Sequence, residues 1–137
     1  ISYLIEPQHL LPAVAQGALS IELRSGDEAT QTLLEPLHHF DSAICVLAER
    51  AMNCRLQGGC QVPIAGFAQL SEGNHLSLEG RVGAIDGSEL LIEQQQIILS
   101  GDNSQRVKQA EQLGEAIADR LLAGGARALL DQAYDSQ

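Results

Sequence analysis

The stretch Pro63 to Leu99, PIAGFAQLSEGNHLSLEGRVGAIDGSELLIEQQQIIL, decides the fold. It holds three strand-like runs, Pro63–Leu70, His75–Ala84 and Glu89–Leu99, parted by Ser71-Glu72-Gly73-Asn74 and by a turn at Asp86-Gly87. The middle run alternates: Leu76, Leu78, Gly80, Val82 and Ala84 share one face, and Ser77, Glu79 and Arg81 share the other. Turns this short leave the chain no room for a crossover, so the three runs are expected to pair as an antiparallel meander with one apolar face.

Helical patterns flank the meander. Asp41 has the chemistry of an N-cap, and the helix it opens runs to about Leu56. Ile44, Leu47, Ala48, Ala51 and Met52 fall on one stripe at helical spacing, with Glu49, Arg50 and Asn53 read as lying opposite. The Gly58-Gly59 pair is expected to end this helix by taking the left-handed position. After the meander, Asp102 or Asn103 caps a second long helix carrying Val107, Ala110, Leu113, Gly114, Ile117 and Leu121 on one face. Gly124-Gly125 stops it, and Ala126–Tyr134 forms a last short helix. A three-stranded antiparallel sheet covered on one face by helices is an α+β domain of two layers.

Residues 1–37 read differently. Ala18–Leu23 alternates like a strand but has no local partner, and Asp27–Leu37 reads as a short helix with an acidic first turn. The chain starts at Ile1 and its only methionine is Met52, so it is expected to be a piece of something longer, with the unpaired strand completed elsewhere.

Composition bounds the function. Of 137 residues, 45% are hydrophobic and 19% charged, the balance of a globular protein, and no run approaches the length of a membrane span. A formal charge of −10 repels phosphate backbones and argues against a nucleic-acid partner. The three cysteines, Cys45, Cys54 and Cys60, lack CxxC spacing, and no secretory signal is visible, so free thiols in a reducing cytoplasm are expected. No histidine has ligand spacing with a cysteine, so no metal site is expected. His38-His39 reads as a solvated helix end, and a Cys60–His75 nucleophilic pair has no local support.

Between helix and meander stands Leu56-Gln57-Gly58-Gly59-Cys60-Gln61-Val62-Pro63-Ile64. The residues alone admit two readings of Cys60. One is a small buried cysteine following a helix cap. The other is an attachment point, since a helix C-terminus does not favour a thiolate, while the glycines let a bulky group approach and Pro63 stiffens the exit. Cys45 and Cys54, inside the helix, read as core or flank residues. Arg55 reads either as a side chain snorkelling toward the helix end or as an anion contact beside Cys60. The loop Pro12–Ala18 places the Gln16 amide beside the bare backbone of Gly17, suited to a flat polar ligand, although a plain loop has the same composition.

LPAVAQGALSIELR, LAERAMNCRLQGGCQVPIAG and GARALLDQAY together resemble the C-terminal portion of the porphobilinogen deaminase (hydroxymethylbilane synthase) family, over essentially the whole chain. The resemblance implies a transferase of haem and tetrapyrrole biosynthesis that joins porphobilinogen units with loss of ammonia and releases hydroxymethylbilane by hydrolysis. It implies a dipyrromethane cofactor bound covalently at Cys60: the sulfur attacks the methylene that ammonia leaves, forming a thioether that outlasts every cycle. Gly58 and Gly59 then give the cofactor room, Leu56 packs beside it, and Gln16 and Gly17 line its cleft. Residues 1–37 correspond to the exit of a second domain with a strand and helix returning to a first, and residues 38–137 to the cofactor-anchoring domain. The catalytic aspartate and the arginine-rich cleft belong to the domains outside this piece, which alone is expected to be inactive. The full enzyme is expected to be a monomer whose partners are its own remaining domains and porphobilinogen, with no membrane contact. The family usually has glycine where this chain has Ala15 and Ser20, which puts close backbone contact in that loop in question. Two alternatives of other classes remain: a non-catalytic α+β interaction or regulatory domain with an incidental cysteine, and a thiol-dependent hydrolase.

Overall fold

The two tight connections of the meander form where turn residues stand. Gly73 (φ 73°) and Asn74 (φ 59°) take left-handed conformations in a single 3-10 turn, Glu72–Asn74, and Gly87 (φ 75°) does so in the second turn. Asp86 fixes that second turn by accepting bonds from the Ser88 N–H and hydroxyl. The computed structural model describes residues 2–7, 9–59 and 62–135. Its sheet has the order β1-β2-β3, with β1 Ile64–Ser71, β2 His75–Gly83 and β3 Leu90–Ile98, each pair antiparallel. The register sets Ala68 opposite Leu78, and Leu78 opposite Gln95.

Among the described residues four α-helices complete the fold: α1 Glu28–Leu34, α2 Phe40–Arg55, α3 Asn103–Ala123 and α4 Ala126–Asp135. Asp27 caps α1 by accepting from the Thr30 N–H, and a 3-10 turn, Glu35–Leu37, extends it. Asp102 and Gln105 form a reciprocal capping box that starts α3. The cap of α2 differs from expectation. His39, not Asp41, holds the cap position, and its Nδ1 accepts the Ser42 N–H at 3.3 Å. Asp41 lies in the first turn, where its charge still suits the helix dipole.

Helices α2 and α3 cover one face of the sheet. Ile44, Ala48 and Met52 from α2, with Leu56 just past its end, meet Leu113, Ile117 and Leu121 from α3 over Leu76, Leu78 and Val82 of β2, all of them buried. Each large aliphatic side chain placed there contributes about 1.5–3 kcal/mol relative to exposure. The expected stripes are therefore the core, with Leu47 and Ala51 of α2 half-buried at its margin. Gly114 sets how closely the helices approach. A Cβ there would strike the carbonyl oxygen of Ala48 and lie 2.8 Å from the Met52 nitrogen.

The expected strand at Ala18–Leu23 does not form. Leu19 is 99% exposed, and the segment carries no regular secondary structure among the described residues. A strand needs a neighbour to take its N–H and C=O groups, and among the described residues the three strands of this sheet pair only with one another. The preceding loop does contact the rest of the chain: Leu11 is buried and Val14 packs against the core cluster. No helix among the described residues is long and apolar enough to cross a membrane.

Candidate functional site

The end of α2 is closed by a double hydrogen-bond cap. Gly58 N–H donates to the Asn53 carbonyl at 2.9 Å and Gln57 N–H to the Cys54 carbonyl at 3.0 Å. The left-handed residue of this cap is Gln57 (φ 59°), not a glycine, which corrects the expected role of the pair. Of the two glycines, Gly58 is needed for space instead. A Cβ on Gly58 would strike the Asn53 side chain and lie 2.8 Å from Ile64 Cδ1. Gly59 is open: among the described residues an added Cβ there meets only the Tyr134 hydroxyl, at 3.5 Å. Helix α4 pins the loop from outside, because Tyr134 donates to the Gln57 carbonyl at 2.7 Å and Arg127 to the Gln57 side-chain oxygen at 3.1 Å. Leu56 is wholly buried and anchors the start of the loop in the core. The candidate attachment residue, Cys60, lies outside the described residues.

A cleft of about 620 Å³ opens between the Pro12–Ala18 loop, the first half of α2 and β1. Gln16 and Gly17 line it, as do His39, Asp41, Cys45 and Glu49. The loop is two successive turns: Gln16 N–H donates to the Ala13 carbonyl, and Ala18 N–H to that of Ala15. The Gln16 amide oxygen accepts the Ala13 N–H at 2.9 Å, so half of that amide is committed within the loop. Ala15 stands at φ 60°, a left-handed conformation that glycine adopts more easily. That is the physical content of the alanine departure noted in the sequence. Among the described residues Leu56, Gly58 and Gly59 do not line this cleft, so the structure groups Gln16 with Gly17 but not with the loop after α2.

Contrary to what its spacing predicts, Glu49 does not lie opposite the apolar stripe. It is 6% exposed, and its two carboxylate oxygens accept the Ala15 N–H at 2.6 Å and the Ala68 N–H at 2.7 Å. Burial pushes its carboxyl above the ordinary range, and the two backbone donors pull it back. The signal for this was legible in Leu56: at 100° per residue it lies within about 20° of Glu49, which widens the apolar face to include the glutamate.

The cysteines divide by environment. Burial raises the Cys45 thiol above its ordinary value; a Leu70 backbone hydrogen bond opposes this, while the Glu49 and Asp41 charges add to the rise. Cys45 therefore stays a protonated thiol near neutral pH. Cys54 is exposed, so helix burial does not set it apart from Cys60 as expected. Arg55 follows neither reading of it, since it turns to Asp119 of α3 in an exposed pair at 2.8 Å. Among the described residues no group of His, Cys, Asp and Glu could hold a metal ion.

Comparison with known proteins gives the arrangement its context. Residues 43–123 match the model of the family described as porphobilinogen deaminase, C-terminal domain. The chain is also 52% identical over 138 aligned positions to "Porphobilinogen deaminase, chloroplastic" of Euglena gracilis, covering 98% of this chain and 28% of that relative. The chain thus spans little more than a quarter of the relative's length. A family match that runs from the first turn of α2 through the meander to the end of α3, on an α+β fold of three antiparallel strands and covering helices, shows that the chain belongs to the porphobilinogen deaminase family, in its C-terminal domain.

Proposed function

We propose that this chain is the cofactor-anchoring piece of a hydroxymethylbilane synthase, with Cys60 joined by a thioether to a dipyrromethane. In the whole enzyme, porphobilinogen units are condensed into hydroxymethylbilane with release of ammonia. The observation that carries this reading is the family match across residues 43–123, which encloses LQGGCQVPI in sequence order. The residues present fit such a group. Gly59 leaves the backbone beside Cys60 open to a bulky substituent, and the α2 cap together with Tyr134 holds the residues before it in one position. Cys45, held as a thiol, is a poor rival anchor.

When bound, the dipyrromethane supplies an electron-rich pyrrole terminus for chain extension. The chain's own part is to hold: Cys60 fixes the group, Leu56 secures the loop in the core, and Gln16 offers its amide NH2 while Gly17 admits close approach. No Arg or Lys lines the cleft among the described residues, so the carboxylates of a porphobilinogen find their cations in the remaining domains, and this piece alone is inactive. Residues 38–137 form the anchoring domain in this reading, and residues 1–37 cross between the other two. The free thiols of Cys45 and Cys54 support a reducing compartment such as the cytoplasm, and the full enzyme acts as a monomer.

Intact-mass and peptide analysis of the full-length protein tests the assignment. The dipyrrole adduct is expected on the Cys60 peptide and is expected to vanish in Cys60→Ser. An adduct on a Cys45 or Cys54 peptide overturns it.

A further inference from the structure

Glu49 is the one buried charged residue of the core among the described residues. A carboxylate out of water costs free energy unless its oxygens are satisfied, and here each accepts one backbone N–H. The two donors belong to different parts of the chain. Ala68 is in the middle of β1, an edge strand whose outward N–H has no neighbouring strand to donate to among the described residues, whereas Ala15 belongs to the loop ahead of the domain. The carboxylate thus ties the loop, α2 and β1 together at one point.

The place where it grips the loop is telling. Ala15 holds a left-handed conformation that is strained for a non-glycine residue, and such conformations persist only where the surroundings over-determine them. The next two residues are Gln16 and Gly17, the pair that lines the cleft. Val14, on the other side, packs against the core. With Val14 seated and the Ala15 N–H bonded, the direction in which the chain leaves toward Gln16 is fixed.

We infer that Glu49 is a positioning residue for the Gln16–Gly17 turn: its carboxylate, carried by the anchoring domain, sets where that turn stands relative to the ligand. This rests on the proposal that Gln16 and Gly17 meet the cofactor or substrate. It gives the anchoring domain a second task, holding a loop that comes from outside it.

The test uses the full-length holoenzyme and compares Glu49→Gln with Glu49→Asp. Glutamine keeps the shape but turns an NH2 toward one of the two N–H donors. A hydrogen bond to a charged group is worth about 1.5–3 kcal/mol, so amides 13–18 are expected to exchange roughly tenfold faster or more. Exchange in β2, β3 and α3 is expected to stay unchanged, with the dipyrrole mass intact. KM for porphobilinogen is expected to rise several-fold with little change in kcat, and Glu49→Asp is expected to recover part of the loss. Unchanged exchange at 13–18 overturns the inference. So does faster exchange throughout the sheet, which marks a merely structural role, or a loosened loop with an unaltered KM. Should Glu49→Gln not yield folded enzyme, the parent decides: its Ala15 amide is expected to exchange more slowly than those of Gly17 and Leu19, and equal rates overturn the idea. A parent without any dipyrrole mass refutes the proposed function, whereas the exchange pattern is read independently of it.

Discussion

Replacing Gly114 by alanine sets two opposed effects against each other. Alanine in a helix interior is favoured over glycine by about 0.8–1.0 kcal/mol, so an unobstructed site would become more stable. Gly114 is not unobstructed. The new methyl would strike the Ala48 carbonyl oxygen, and the Met52 nitrogen and Ala51 Cβ lie at 2.8 and 2.9 Å from it. Two of these neighbours are backbone atoms of α2, which no rotamer change can move. The helices must separate by about 1 Å to bring that methyl to contact distance, and a gap of about 0.5–1 Å forfeits a quarter to a half of each lost contact. Ile44, Ala48 and Met52 on one side and Leu113 and Ile117 on the other share that loss. Overpacking of this kind costs about 1–3 kcal/mol, and the obstruction by backbone places Gly114→Ala toward the upper part of that range. After the helix-propensity gain, a net destabilisation of about 1–2 kcal/mol is expected, read by urea unfolding followed by circular dichroism. A variant more stable than the parent by the propensity difference would refute the claim that bare backbone at Gly114 sets the α2–α3 distance.

Gly59→Val is expected to change folding stability by no more than about 0.5 kcal/mol, since Gly59 is outside the left-handed region and meets only Tyr134 Oη; in the full-length enzyme the same change is expected to lower dipyrrole content, and normal content would mean the open space is not used by the cofactor. Tyr134→Phe removes the bond to the Gln57 carbonyl and is expected to cost about 0.5–1.5 kcal/mol, with faster hydrogen exchange at 57–59 and none elsewhere. Burial raises the folded-state carboxyl of Glu49 above its ordinary value of 4.5, so between that value and the raised one the folded chain holds more protons than the unfolded. The stability this contributes is complete below pH 4.5 and is lost as pH rises through the raised value. The advantage of the parent over Glu49→Gln in urea unfolding is therefore expected to be larger at pH 4 than at pH 7, and the reverse order would contradict the direction of the shift.

Sequence by itself determined the meander, because Gly73, Asn74 and Gly87 supply local conformations that need no distant partner. It determined the two long helices and most of their buried faces, since a stripe at 3.6-residue spacing has few places to go other than a sheet. It also pointed to the family, through the order of residues around LQGGCQVPI. Tertiary structure alone decided what each face meets. Glu49 lies at the edge of its apolar stripe, and only the arrival of the Ala15 and Ala68 N–H groups makes burial of its charge tolerable. Gln57 could take the left-handed cap position because Tyr134 and Arg127 of α4, far along the chain, hold it there. The alternation at Ala18–Leu23 is a sound local signal that meets no partner among the described residues, because a strand is completed by its neighbour and the three strands of this sheet are already paired with one another. Periodicity is a property of one segment; capping by a distant helix, burial of a charge and pairing of a strand each depend on a second segment, and only the folded chain says which one that is.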